Sequence, residues 1–241
     1  MALGVGSLEA DGEPLRAGDV AQSDPAAEGE LKLGRRHPVA VPAVDAGLRG
    51  EQQRQRFDTT VVHLVQVMAE HRHLVEQGAQ LVEIRLDYIR RQVNLKRLFR
   101  DRGCPVIVTC RRLEDQGKWE GSEESRLMLL RAAIAEGVEY VDLEADVADQ
   151  IPIYGKTKRI ISLHNFRDTP ENLEEIHARL AQLDADVVKI ATMANEPHDN
   201  VRMLQLVRNS KIPTVGICMG EIGIPSRILA GKFGAPFTYA T

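Results

Sequence analysis

Nine side chains that carry charge or an exchangeable proton stand inside or at the ends of apolar runs. They are Glu83, Arg85, Asp87, Arg111, Asp142, Glu144, His164, Lys189 and Arg227. An unpaired charge is expensive to bury, so a set of them spread over several strand-like segments points to one shared polar pocket. Lys189 is the sharpest member, because it sits in the middle of Val187-Val188-Lys189-Ile190-Ala191-Thr192. A lysine amine is protonated in water at neutral pH. Burial and neighbouring cations such as Arg85 and Arg111 favour the free amine, which attacks a carbonyl and forms an imine. The competing reading is a buried lysine paired with Glu83 or Glu144. His164, in Ser162-Leu163-His164-Asn165-Phe166, suits proton transfer near neutral pH, or else caps the next helix. Arg227 follows the glycine-bearing stretch Met219–Ser226, where a guanidinium holds a carboxylate in two-point fashion or is a surface cation at a helix start. Cys110 has no base beside it and reads as packing. The remaining histidines singled out, His63, His71, His73 and His177, read as surface residues of helical or tail segments.

The elements that position these groups alternate. Candidate strands are 81–88, 105–111, 140–146, 159–166, 186–193, 214–220 and 237–241, rich in Val and Ile as buried parallel strands are. Helical patterns lie between them. Residues 123–136 place Leu127, Leu130, Ala133 and Ile134 on one stripe. Thr169 precedes Pro170 as a candidate N-cap with proline at the first helical position, and 172–183 continue the helix. Residues 201–207 set Val201, Leu204 and Val207 on one face. This βα rhythm predicts a parallel sheet with helical crossovers. No GxGxxG follows the first clear strand, which disfavours a dinucleotide-binding sheet. A closed (β/α)8 barrel needs an eighth strand before Leu81. Val61–Val67 runs straight into a helical stretch, so that strand is displaced to around Val39–Val44 or is not properly present.

Composition shifts near residue 57. Residues 1–57 are rich in Ala, Gly, Glu, Asp and Arg and read as a poorly ordered extension, and 58–241 read as the barrel domain. The 241 residues carry a net charge of -4, 43% hydrophobic and 27% charged side chains. That balance fits a globular enzyme and argues against a nucleic-acid partner, and no apolar run is long enough to expect a membrane partner. Three sparsely spaced cysteines suggest neither a disulfide framework nor a zinc site, and the first residues lack the blocks of a signal peptide. A cytoplasmic setting is expected.

Taken together these segments resemble the type I 3-dehydroquinate dehydratases. The matching motifs are Glu83-Ile84-Arg85-Leu86-Asp87, Thr109-Cys110-Arg111, Ser162-Leu163-His164-Asn165-Phe166, Val188-Lys189-Ile190-Ala191, and the loop from Met219-Gly220 to Ser226-Arg227. Five motifs in order cover about 68–241. The resemblance implies a TIM barrel that needs no metal or organic cofactor, and conversion of 3-dehydroquinate to 3-dehydroshikimate. It implies Lys189 as the Schiff-base lysine, His164 as general acid and base, and Glu83, Arg85, Arg111 and Arg227 as substrate ligands. Asp115 stands where the family has a glutamate that supports the histidine, and Gln116 replaces a usual glycine. Arg54–Thr60 occupies the place of the family's first strand. The family's lid loop, ending A-P-G-Q, and its final helix would follow beyond Thr241, so the barrel is expected to be incomplete at both ends. A truncated, non-catalytic barrel and an imine-forming barrel of the class I aldolase type are the competing readings. A homodimer is an allowed assembly, and a fused shikimate dehydrogenase, as some relatives carry, is left open.

Overall fold

Seven Val- and Ile-rich segments form parallel strands where the sequence places them, and helices separate most of them. The computed structural model describes residues 39–41, 43–44, 64–89 and 93–239, with backbone alone up to residue 65. All of these lie in one unit, His37–Thr241. In chain order the strands are β1 (Val39–Val41), β2 (Ala43–Val44), β3 (Val82–Arg85), β4 (Val106–Thr109), β5 (Tyr140–Glu144), β6 (Lys158–Asn165), β7 (Val187–Met193), β8 (Thr214–Met219) and β9 (Phe237–Tyr239). The helices are α1 (Leu64–Glu76), α2 (Leu95–Arg100), α3 (Glu123–Ala135), α4 (Leu173–Ala181), α5 (Pro197–Asn209) and α6 (Ile224–Leu229).

Strands β2 to β8 form one parallel sheet in sequence order, and β1 pairs in parallel with β9. Residues 39–41 therefore stand beside the last strand and 43–44 beside β3, with Val39 opposite Phe237 and Ala43 opposite Glu83. Pro42, which has no N–H to give a ladder, falls between the two short pieces. This is the displaced first strand, and Leu64–Val67 belong to α1 instead. Residues 39–41 and 43–44 lie within the stretch expected to be poorly ordered, yet their backbone pairs with barrel strands. The rest of 1–57 lies outside the described residues. Between β8 and β9 the described residues form no ladder, so the ring of strands is incomplete there.

Register decides what faces inward. In parallel strands, residues paired in register project to the same side of the sheet. Glu144 pairs with Ser162, Ser162 with Lys189, and Lys189 with Val215, while His164 pairs with Ala191. The inward set near the strand starts is apolar: Leu81, Ile107, Ile160, Val187, Val215 and Phe237. The outward set, with Val82, Ile84, Val106, Val108, Val141, Leu143, Ile161, Val188 and Ile190, packs under the helices.

Local signals explain most helix positions. Ser122 caps α3 by accepting from the Ser125 N–H at 3.2 Å, and Leu127, Leu130, Ala133 and Ile134 are buried as the stripe predicts. Pro197 opens α5, and the Asp199 carboxylate accepts from the N–H groups of Asn195 and Glu196. A Cβ on Gly216 would stand 2.7 Å from Met203 Sδ and from Val207, so glycine lets α5 press onto β8. Three expectations are corrected. His71, expected at the surface, is buried on α1, with its Nε2 3.6 Å from Cys104 Sγ. Thr169 does not cap α4. Its buried hydroxyl shares a hydrogen bond with Thr192 and donates to the Met193 carbonyl, and Asn172 takes the cap position. Val201 is 45% exposed, because α5 turns Asn200, Met203, Leu204, Leu206 and Val207 inward instead.

Candidate active site

The buried charges form one connected network across β4, β5, β6 and β7. Lys189 is 5% exposed, and its ammonium donates to Asp142 Oδ2 at 2.8 Å. The other oxygen of Asp142 accepts from Arg111 Nη2 at 2.9 Å and from Ser162 Oγ at 2.6 Å. Arg111 also donates to Glu144 at 2.7 Å, and Glu144 accepts from Arg126 at 2.8 Å. Arg126, fully buried, continues outward to Glu123 and to the Cys110 carbonyl. The partner of Lys189 is thus Asp142, not Glu83 or Glu144. Burial alone would raise the Asp142 pKa, but the charges of Arg111 and Lys189 outweigh it and hold the carboxyl far below the usual carboxylate range.

His164 reaches the same interior from β6. The register places it two residues beyond Ser162, the partner of Lys189. Its ring stacks on Phe166 with centroids 5.9 Å apart, and its buried Nδ1 has no hydrogen-bond partner. Burial, then the charges of Arg111 and Lys189, push its pKa well below the usual value, so the imidazole is neutral at pH 7. A neutral ring with an unoccupied nitrogen is equipped to accept a proton.

The other expected residues divide. Glu83 is buried and accepts from Thr109 Oγ1 at 2.7 Å. Arg85 makes two bonds to Asp87, at 2.9 and 2.6 Å, and Asp87 also accepts from the backbone N–H groups of Arg111 and Lys118. Arg227 stands on α6 beyond β8, half-buried, with no hydrogen bond or ion pair among the described residues. Asp115 lies in a short turn, Leu113–Asp115, and its carboxylate accepts from Arg112 Nε at 2.7 Å rather than from His164. Asp115 and His164 nevertheless line one cavity of about 430 Å³, together with Arg112, Glu144, Asp146 and Ser162. Gln116 adopts the left-handed region, with φ 58°. Gly117 beside it is required, because a Cβ there would lie 2.0 Å from the Arg111 carbonyl oxygen. Burial raises the Cys110 thiol pKa, in keeping with a packing role.

In this network Asp142, Arg126 and Tyr239 received no role from the sequence, and Glu144 only that of a possible partner of Lys189. Asp142 and Glu144 stood in the polar set, and a lysine buried nearby demands such a counter-charge, but strand spacing alone did not say which carboxylate meets it. Arg126 carried no signal, since it sits beside the apolar stripe of α3. Tyr239, at the end of β9, has its ring centroid 4.2 Å from Lys189 Nζ. That contact depends wholly on how the last strand returns to the barrel.

Comparisons with known proteins converge. The model of the family described as type I 3-dehydroquinase matches residues 59–241. The chloroplastic bifunctional 3-dehydroquinate dehydratase/shikimate dehydrogenase of Arabidopsis thaliana is 40% identical over 177 residues, which cover 69% of this chain and 29% of that relative. The 3-dehydroquinate dehydratase of Methanopyrus kandleri is 38% identical over 187 residues, covering 75% of this chain and 85% of the relative. In fold, the chain superposes on the crystal structure of the Geobacillus kaustophilus 3-dehydroquinate dehydratase with a TM-score of 0.70. The identity is 22%, with 85% of this chain and 82% of that one covered.

Proposed function

Because the chain belongs to the type I 3-dehydroquinase family, we propose that it dehydrates 3-dehydroquinate to 3-dehydroshikimate through an imine on Lys189. The setting proposed is the cytoplasm, in aromatic amino acid biosynthesis. No helix among the described residues is long and apolar enough to cross a membrane. One observation carries the reading: a buried amine and an imidazole stand on adjacent strands and face one interior.

The steps follow from these residues. Asp142 takes the proton-bearing end of Lys189 and fixes the amine against β7. Lys189 releases one proton and adds to the C3 ketone; that proton and one more from the nitrogen leave with the ketone oxygen as water, so the carbon becomes a protonated imine that draws electrons from C2. His164 removes the C2 proton. The electron pair moves between C2 and C1, the C1 hydroxyl departs, and the proton held by His164 goes to it as water. Hydrolysis of the imine restores Lys189. Arg227, with no carboxylate of its own among the described residues, holds the substrate carboxylate. Glu83 and Arg85 receive the ring hydroxyls. Arg111, held by Asp142 and Glu144, contributes a fixed positive field at the same place.

Borohydride reduction in the presence of 3-dehydroquinate tests this. The peptide containing Lys189 should gain a substrate-derived mass, and Lys189→Ala should gain none. A preparation that generates the enone absorbance of the product while Lys189 stays unlabelled overturns the mechanism.

A further inference from the structure

Among the described residues of the site, two buried polar atoms have no hydrogen-bond partner, His164 Nδ1 and the Tyr239 hydroxyl, and the mechanism above uses only the first. Tyr239 stands in β9 opposite Val41, and its ring lies over Lys189 Nζ, 4.2 Å from the centroid. Its hydroxyl oxygen is buried and has no hydrogen-bond partner. Buried hydroxyls normally find partners, so an exception marks a place where a partner arrives later. The nearby carboxylates already accept other bonds. Asp142 already accepts from Arg111, Ser162 and Lys189, and Glu83 accepts from Thr109.

We propose that Tyr239 is a further catalytic residue, whose hydroxyl donates a hydrogen bond to the oxygen of the cyclic ketone that Lys189 attacks. The inference rests on the reading given above for the same site. Formation of the nitrogen–carbon bond moves the carbonyl electron pair onto that oxygen, and the hydrogen bond strengthens as negative charge grows there. Tyr239 keeps its own proton throughout. Burial, reinforced by the negative charges of Glu83 and Asp142, raises its pKa well above the usual phenol value, so it remains a donor. The face of the same ring meets the nitrogen as it becomes a cation, where an aromatic quadrupole is favourable. One side chain thus meets both the attacking nitrogen and the oxygen that receives the displaced electron pair.

Tyr239→Phe in the full chain separates a chemical role from packing. It keeps the ring and removes the hydroxyl, and its Tm should equal or exceed the parent's, because a buried unsatisfied group is lost. Single-turnover borohydride trapping should show imine formation slowed about tenfold to hundredfold. Binding of a cyclic hydroxy acid that lacks the ketone should be unchanged. Tyr239→Phe that forms the trapped adduct at the parent's rate overturns the inference while leaving the Lys189 mechanism standing. Weaker binding of the ketone-free acid, with trapping at saturation unchanged, also overturns it, since the hydroxyl would then serve the ground state only. If the parent chain itself gives neither adduct nor enone, the functional reading falls and this inference falls with it.

Discussion

Lys189 and Ile190 are neighbours in β7 and project to opposite faces of the same strand. The outward face of the strands is an unbroken apolar surface, where Ile190 is fully buried among side chains such as Val188, Leu143 and Ile161. Each such side chain contributes roughly 1.5–3 kcal/mol by leaving water. The inward face begins apolar and turns ionic toward the strand ends, where Lys189, Asp142, Arg111, Glu144 and Arg126 are joined. A buried ion network adds little net stability compared with a well-packed apolar one, but removing a single member strands the others. The outer face thus holds the strands together, and the inner face fixes charges whose positions matter for chemistry.

The contrast can be broken at adjacent positions. Lys189→Ala should lower kcat for 3-dehydroquinate by about a thousandfold or more, with the folded state retained; the enone absorbance reports this. Asp142→Asn leaves Arg111 and Lys189 short of a counter-charge and should destabilise the fold by about 3–5 kcal/mol in a denaturant titration. The same variant sharpens the acid profile. The Asp142 carboxyl titrates lower in the folded than in the unfolded chain, so the unfolded chain takes up the proton first as pH falls. The stability it contributes is fully present above roughly pH 4, the unfolded value, and is lost as pH drops below that toward the folded pKa. Thermal melts from pH 6 downward should decline less steeply for Asp142→Asn than for the parent. Ile190→Ala should cost about 2–5 kcal/mol while kcat per folded molecule stays within about threefold. A loss of turnover in Ile190→Ala as deep as that of Lys189→Ala would erase the distinction between the faces. Val201→Ser, on the exposed side of α5, should stay within about 0.5 kcal/mol of the parent.

Much of the fold was legible because its signals are local. Runs such as Val106-Ile107-Val108 and Ile160-Ile161 need nothing from afar to be read as buried strands, and the stripe of Leu127, Leu130, Ala133 and Ile134 marks α3. The first strand was less legible. Its residues are prolines and small apolar side chains, and its pairing partners are β9 and β3, far away along the chain. Thr169 misled for the same reason. Its hydroxyl had a partner two elements away, Thr192, that competed successfully with the local cap. In the site, spacing places Lys189 and His164 inside strands, but not the identity of the carboxylate beside the amine.

By itself the sequence determined which residues alternate between the two faces, because side chains in a strand point up and down with a period of two whatever lies around them. It also determined that charged groups within apolar runs must meet one another, since none could stay buried alone. Only the tertiary structure decided who meets whom. Register between β5, β6 and β7 sets Asp142 under Lys189, and the return of β9 lays Tyr239 over the same nitrogen. Both depend on how separate strands are shifted along one another, a quantity that no single stretch of chain contains.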